Sequence, residues 1–560
     1  MLTWLAPFFA LTSSATAEGN AESTLRCDAS SFKDPIVPGA KILSITAEGK
    51  QNVSSIPMGA IASVSGVELC AVNVRLTHPG TEDDVLVQTW LPLAHDAWNG
   101  RFQATGGGGF ATGFADVFLG PAVKDGYAAS ATDGGHQGHP GDVSWGLNKD
   151  RSVNWNLLHN FASRSLADQI YVGKSITEQF FGKAPHHSYW NGCSTGGRQG
   201  YLVAQKYPGL LDGIYAFAPA ISFVNLVMGD FWPQVVMKEE GALMTNCEFG
   251  AFFDKALEEC DILDGVRDEV IEDPEVCNFD PQTLVGQKIE CDGDTIEITK
   301  QMATVARKLL EGPKIPFGQP LWHGFAHGTS LISTANISVN AEGVRQQNPF
   351  MISKAWIQNL VFKDPGFNVS QITYSDFFAA WAQSSEQYSW LIDTFNTDLS
   401  AFRDAGGKLL TWHGTSDPLI PYQNTVQYRE RVESGMGGNK AVNDFYRLFL
   451  APGVNHCGHG TGPVPTDLLQ PLVDWVEKGE PPETLAAETI DKNGEKVSRD
   501  LCLWPAKSKY MGHGDGKRAS TWTCVGGADG EEHLGEARDF IGGLKDRLKQ
   551  VGLDLGLSIG

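Results

Sequence analysis

The stretch Asn191-Gly192-Cys193-Ser194-Thr195-Gly196-Gly197-Arg198 sets a serine between glycines in the pattern G-x-S-x-G. Small residues on both sides let the backbone bend sharply enough to lift a hydroxyl off the end of a strand at the start of a helix. A serine hydroxyl becomes a useful nucleophile only when a base takes its proton and a carboxylate orients that base. One known chain order for such a set on an α/β sheet is serine, acid, histidine, the last two in loops after strands. Asp417 in "HGTSDPLIP" and His456 in "GVNHCGHG" meet both order and context. Each has a plainer reading: Ser194 in an ordinary strand-to-helix turn, Asp417 capping a turn before Pro418, and His459 competing with His456.

Two cysteines add a geometric argument, since Cys193 precedes Ser194 and Cys457 follows His456. If hydroxyl and imidazole lie within hydrogen-bonding reach, their neighbours fall near the roughly 5–6 Å Cα separation of a disulfide. Closing so long a loop stabilises by about 5 kcal/mol in chain-entropy models, and measured effects are often smaller. The bond's informative consequence is positional, because it fixes nucleophile and base relative to each other. Acyl transfer also needs donors aimed at the charge that develops on the carbonyl oxygen. The N–H of Thr195 supplies one, and "ATGGGGFATG" is expected to supply the other from Gly107 or Gly108, where backbone can approach substrate closely. This glycine run completes no G-x-G-x-x-G register, so a dinucleotide loop is disfavoured.

These residues need a scaffold. From about 68 to 150, β-rich runs such as "VELCAVNVRLTH" and "DVLVQTWLPL" lead into "RFQATGGGG" and "GYAASATDGGH", each a strand entering a loop. "RSLADQIYVGKSITEQFFG" has helical periodicity, "HHSYWNG" is a strand, and "RQGYLVAQKYP" is again helical. Strand, helix, strand, turn, helix is the order of a parallel sheet covered on both faces. The pattern lapses over 223–400, a stretch with aromatic clusters and turn dipeptides, and resumes at "GGKLLTWHGTSDPLIP" and "DFYRLFLAPGVNHCGHG". The expected fold class is therefore α/β, a discontinuous α/β domain over 18–222 and 401–530 interrupted by a mostly helical lid over 223–400. A tail over 531–560 carries one amphipathic helix.

The chain has 560 residues, 42% apolar and 19% charged, which suits a globular protein too large for one core. Its net charge of −23 disfavours nucleic acid and anionic lipid as partners. A small neutral or weakly charged substrate fits better. The opening apolar run followed by Ala15-Thr16-Ala17 reads as a signal peptide over 1–17, and no later run reaches the roughly 20 residues a spanning helix needs. Ten cysteines in a secreted chain argue for disulfides. Sequons at Asn52, Asn336 and Asn368 agree with secretion.

Two further clusters carry polar side chains. In "CDILDGVRDEVIEDPEVC", Asp261, Asp264 and Asp268 with the carbonyls of Val266 and Val270 offer five oxygens suited to a hard cation such as calcium, without the EF-hand spacing. A solvated acidic loop is the equal alternative. "DGGHQGHPGD", with Asp133, His136, His139 and Asp142, reads as a polar loop in preference to a metal centre, and His186-His187 as the start of a strand.

Taken together, "NGRFQATGGGGFATG", "GCSTGGRQG", the acidic loop between cysteines, "GTSDPLIP" and "NHC" resemble the tannase and feruloyl esterase family from about Cys27 to Cys524. That resemblance implies an α/β-hydrolase domain with a lid, Ser194 as nucleophile, Asp417 as acid, His456 as base, and a Cys193–Cys457 bridge. It implies structural calcium at Asp261, Asp264, Val266, Asp268 and Val270, and no organic cofactor. It also implies local pairs Cys27–Cys70, Cys260–Cys277 and Cys502–Cys524, which leaves Cys247 with Cys291. The implied activity is ester hydrolysis on hydroxycinnamic esters, free or on polysaccharide, ahead of galloyl or other aromatic esters. A catalytically silent binding protein on the same fold is the reading from another class.

Overall fold

The computed structural model describes residues 26–526 apart from 292, 316 and 317. The expected leader over 1–17 and the tail over 531–560 lie outside the described residues. The strand-forming runs pair into one nine-stranded sheet. Its members in chain order are β1 (Lys41–Val53), β2 (Val67–Thr77), β3 (Val85–Pro92), β4 (Arg101–Thr105), β5 (Ala128–Thr132), β6 (His187–Cys193), β7 (Gly213–Phe217), and the strands Lys408–Gly414 and Tyr446–Ala451. In space they run β1-β2-β3-β5-β4-β6-β7, then Lys408–Gly414, then Tyr446–Ala451. β1, β2, β3 and β5 pair antiparallel, whereas every pairing from β5 onward is parallel.

Parallel strands are buried on both faces, which is why β5 and β7 consist of small or apolar residues buried throughout. One face packs on helices Ser165–Phe181, Thr195–Lys206 and Tyr422–Gly435. The other packs on Ala115–Lys124 and Gln470–Lys478. The α/β fold expected from the sequence is thus observed. β1 was not anticipated: no residue along it is fully buried, so it carries little hydrophobic signal. After the sheet's last strand, Val464–Pro465, Thr484–Ile490 and Lys496–Cys502 form a second, three-stranded sheet that the sequence reading also missed.

Between β7 and Lys408–Gly414 the chain forms a series of helices, the longest of them Asn246–Cys260 and Tyr374–Ile392, separated by loops and by two short two-stranded sheets. Thr245 with Glu248 and Thr373 with Asp376 form capping boxes that start the helices Asn246–Cys260 and Tyr374–Ile392. Most of this segment's aromatics are core: Trp356, Phe377 and Tyr388 are fully buried. The same apolar cluster takes in Phe110 and Ile420 from loops of the sheet domain and Phe161 from the helical turn Asn160–Arg164. The segment between β7 and Lys408–Gly414 therefore shares a core with parts of the sheet domain.

All five disulfides form in the expected pairs, Cys27–Cys70, Cys193–Cys457, Cys247–Cys291, Cys260–Cys277 and Cys502–Cys524, with Cα separations of 5.4 to 5.9 Å. Among the described residues no helix is long and apolar enough to cross a membrane. Of the sequon asparagines, Asn52 and Asn368 are exposed and Asn336 is half-buried.

Candidate active site

β6 ends at Cys193, the helix Thr195–Lys206 begins one residue beyond Ser194, and Ser194 itself sits at φ 62°, ψ −124°. This is a strained conformation for a residue with a side chain. It is held by hydrogen bonds on both sides: the Ser194 N–H donates to Phe217 O (3.1 Å), and Ser194 O accepts from the N–H of Arg198 (3.0 Å) and Ala220 (3.1 Å). Glycine is required next to it, since a Cβ on Gly192 would lie 2.5 Å from Gly196 O and one on Gly106 would lie 2.4 Å from Gly196 Cα. Arg198, fully buried, donates to the carbonyls of Phe161, Ala162 and Ile392 and lies over the rings of Phe161 and Phe223. The helix carrying the serine is thereby tied to the end of the lid's longest helix.

Asp417 follows the strand Lys408–Gly414 in a tight loop, and its Oδ1 accepts from the N–H groups of Leu419 and Ile420, both at 2.9 Å. Its Oδ2 lies 2.8 Å from His456 Nδ1 and 3.3 Å from His413 Nε2, and its side chain has no solvent exposure. Burial pushes this carboxyl up, but the His456 charge and the hydrogen bonds from His413 and His456 outweigh it and hold Asp417 well below the usual carboxylate range. An ionised Asp417 can only accept, so when His456 is neutral its one proton sits on Nδ1 and Nε2 keeps the lone pair. His413 is oriented by the same logic. Its Nε2 faces Ile420 O at 3.0 Å as well as Asp417, two acceptors, so Nε2 is its donor, and Nδ1 accepts from Thr425 Oγ1 at 2.8 Å.

The Cys193–Cys457 disulfide spans 264 residues of sequence and brings these two halves together at a Cα separation of 5.9 Å. A ring nitrogen of His456 and both sulfurs lie within 4.8 Å of one another. The sulfurs are spent in their bond, so this group is no thiolate metal site. Cys457, like Ser194, has a positive φ (57°). Its carbonyl accepts from Ala60 N–H at 2.7 Å, and a Cβ on Gly59 would lie 2.0 Å from that oxygen. A turn from the first part of the chain therefore buttresses the histidine loop. His459, the competitor of His456, is exposed.

The glycine run departs from expectation by one position. The N–H of Gly107 donates to Gln199 Oε1 (3.0 Å) and that of Gly108 to Ala111 O (3.1 Å), so both expected oxyanion donors are already engaged. Gly106 N–H is likewise taken, by Asn191 O at 3.2 Å. Gly109 N–H has no partner among the described residues, and Gly109, like Ser194 and His456, is half-exposed in otherwise buried surroundings. Its peptide is fixed on both sides, because Gly108 O accepts from Ala111 N–H (3.0 Å) and Gly109 O accepts from Thr195 Oγ1 (2.8 Å). Thr195 N–H is also without an acceptor among the described residues. The sequence reading missed the hydrogen-bond commitments of Gly107 and Gly108, which depend on Gln199, far away in the chain. It missed His413 too, although a histidine inside a buried strand four residues before an acid was a readable signal.

In the acidic loop, Asp264 Oδ2 and Asp268 Oδ1 are buried without hydrogen-bond partners. Burial, together with the charges of Asp268 and Asp261, pushes Asp264 up to about 7. Asp261 accepts from the N–H groups of Asp268 and Glu269, which curls the loop around its carboxylate, and Arg499 pairs with Asp268 at 2.5 Å. The carbonyls of Val266 and Val270 accept no hydrogen bond among the described residues. The two orphaned oxygens, Asp264 Oδ2 and Asp268 Oδ1, are acceptors of the kind a hard cation would satisfy, although among the described residues no three acidic side chains of this loop bring their oxygens within 4.8 Å of one another. In the "DGGHQGHPGD" loop Asp133 accepts from Leu86 and Gly135 N–H, while His136 stacks on Trp145 and contacts Thr112 Oγ1 at 3.0 Å through Nε2, its Nδ1 being buried without a partner among the described residues. His187 begins β6, as expected.

The chain is similar to known proteins over most of its length. A probable feruloyl esterase of Arthroderma benhamiae is 44% identical over 504 residues, covering 89% of this chain and 93% of the relative. Feruloyl esterase B of Aspergillus niger is 31% identical, covering 85% and 91%. Among solved structures, tannin acyl hydrolase from Aspergillus niger superposes with a TM-score of 0.81 at 26% identity, covering 90% of this chain and 95% of that one. Feruloyl esterase B from Aspergillus oryzae gives 0.73 at 26% identity, covering 88% and 97%. The profile of the family described as tannase and feruloyl esterase matches residues 70–525, and the chain belongs to that family.

Proposed function

We propose that this carboxylic ester hydrolase acts on esters of hydroxycinnamic acids, free or attached to polysaccharide, with galloyl and other aromatic esters as the competing class. The observation that carries the mechanism is the pairing of buried Asp417 with His456, linked through one disulfide to the strained Ser194 turn. The names of the relatives, feruloyl esterases at 44% and 31% identity, support the hydroxycinnamoyl preference. Ser194 Oγ attacks the ester carbonyl while His456 Nε2 takes its proton. Charge arriving on the carbonyl oxygen meets the N–H groups of Thr195 and Gly109, the donors left free for it. Collapse expels the alcohol, which receives the proton from His456. Water, activated by the same nitrogen, then releases the acid and restores Ser194.

Methyl ferulate, methyl gallate and an aryl acetate assayed side by side test the assignment. The expected result is the highest kcat/KM on methyl ferulate. Turnover confined to the aryl acetate would contradict the substrate class, and no turnover on any would favour a silent binding protein.

Calcium is the cation proposed for Asp261, Asp264, Asp268 and the carbonyls of Val266 and Val270. When bound it supplies positive charge that relieves the carboxylates' mutual repulsion, and it takes no part in the reaction. Chelation is accordingly expected to lower Tm by several degrees with less than a twofold change in kcat below the transition, checked by calorimetry and assay on one sample. An unchanged Tm would count against the metal. The disulfides also support a proposal of secretion, with glycans on the exposed Asn52 and Asn368.

A further inference from the structure

Ser194 follows the last residue of β6, and at the strand's opposite end two histidines meet a carboxylate in a cluster that the proposed reaction does not use. His186 precedes β6 and His187 opens it, paired in register with Arg101 at the start of β4, while Glu477 comes from the helix Gln470–Lys478. His186 Nδ1 lies 2.8 Å from His187 Nδ1, and His187 Nδ1 lies 3.5 Å from Glu477 Oε1. One ligand atom from each of the three residues falls within 4.8 Å of the other two. Ligand atoms sharing one tetrahedral zinc ion sit about 3.4 Å apart, so these separations are on the scale of a common ion.

The groups around the cluster hold its members in ligating form. His186 Nε2 faces Asn99 O at 3.3 Å, a carbonyl that can only accept, so when His186 is neutral its one proton sits on Nε2 and Nδ1 is bare. Metal-bound histidines ordinarily donate their second ring nitrogen to such a carbonyl. The ring also lies against Gly100, where a Cβ would be 2.6 Å from it. Glu477 accepts from Arg101 Nε (2.6 Å), Arg101 Nη2 (2.7 Å) and Tyr189 Oη (2.6 Å). Burial pushes its carboxyl up, but these hydrogen bonds outweigh it and bring it down to about 2, so the group is charged and fixed in place. His186 is exposed and the other two are half-buried, which leaves an approach from solvent.

We propose that His186, His187 and Glu477 form a zinc site, with both Nδ1 atoms and one carboxylate oxygen as ligands and water in the remaining position, clipping the start of β6 to the helix Gln470–Lys478. Without the ion, the contact between the rings is a hydrogen bond donated by His187 Nδ1 to the bare Nδ1 of His186. On binding, that proton moves to His187 Nε2 and both Nδ1 lone pairs turn to the metal. The site does not depend on ester hydrolysis.

The test titrates zinc(II) into the full chain by calorimetry, with millimolar calcium present throughout so that the acidic loop is supplied with a hard cation. The expected result is saturable binding of a single zinc ion at micromolar affinity, weakened about tenfold or more by His186→Ala and by His187→Ala. His513→Ala, at an exposed histidine elsewhere on the chain, should leave the affinity unchanged. Zinc should also raise the Tm of the parent by several degrees and leave that of His186→Ala unmoved. Matching zinc-free unfolding of parent and variants establishes that they fold. No saturable binding at millimolar zinc, an affinity that either His186→Ala or His187→Ala leaves unchanged, or an equal loss in His513→Ala would each overturn the proposal.

Discussion

Asp417→Asn is expected to lower kcat about 10⁴-fold and to leave KM within a few-fold, because a wrong imidazole tautomer disables the base without disturbing substrate contacts. The local hydrogen bonds dictate how the amide must sit. Leu419 and Ile420 N–H groups both point at the Oδ1 position, so the asparagine oxygen goes there and the NH₂ takes the place of Oδ2. That NH₂ then faces His456 Nδ1, which must give up its proton to accept. The proton moves to Nε2, the nitrogen that should receive the one from Ser194. Steady-state kinetics on methyl ferulate with a parallel Tm measurement checks this. A loss smaller than tenfold in a folded variant would remove Asp417 from the triad.

The second large effect concerns the disulfide. Replacing Cys193 and Cys457 together by alanine is expected to cost about 10²-fold in kcat/KM, the scale on which a displacement of about 1 Å matters to a near-attack geometry. The accompanying fall in Tm should be modest by comparison. Loop-closure entropy would predict about 5 kcal/mol, but engineered cases deliver less, and the buried Arg198 contacts and the Ala60–Cys457 hydrogen bond remain to hold the two loops. Activity equal to that of the parent would show that the bond serves stability alone. A matched loss of both would point the same way.

The parts of this site that were legible in the sequence are those whose chemistry is written locally. The Ser194 turn announces itself through its flanking glycines, and Asp417 and His456 through their place after strands. Cys193 and Cys457 are informative because each adjoins a residue that must meet the other, so two neighbours in sequence become a distance in space. The error over Gly107 and Gly108 has the opposite origin. All four glycines of that run look alike in sequence, and which N–H remains free is decided by acceptors on Asn191, Gln199 and Ala111. His413 and the turn at Gly59 act through tertiary packing that a pattern of periodicities does not express. β1 escaped notice because its side chains are mostly exposed, so it lacks the alternation that marks a half-buried strand.

The central claim is that Ser194 is a hydroxyl activated by His456. Its most direct test is incubation of the folded protein with a fluorophosphonate, followed by peptide mapping in the mass spectrometer. A single adduct on the peptide bearing Ser194 is expected, formed rapidly by the parent and very slowly by His456→Ala. An adduct on another residue, or labelling at the same rate without the imidazole, would contradict the account.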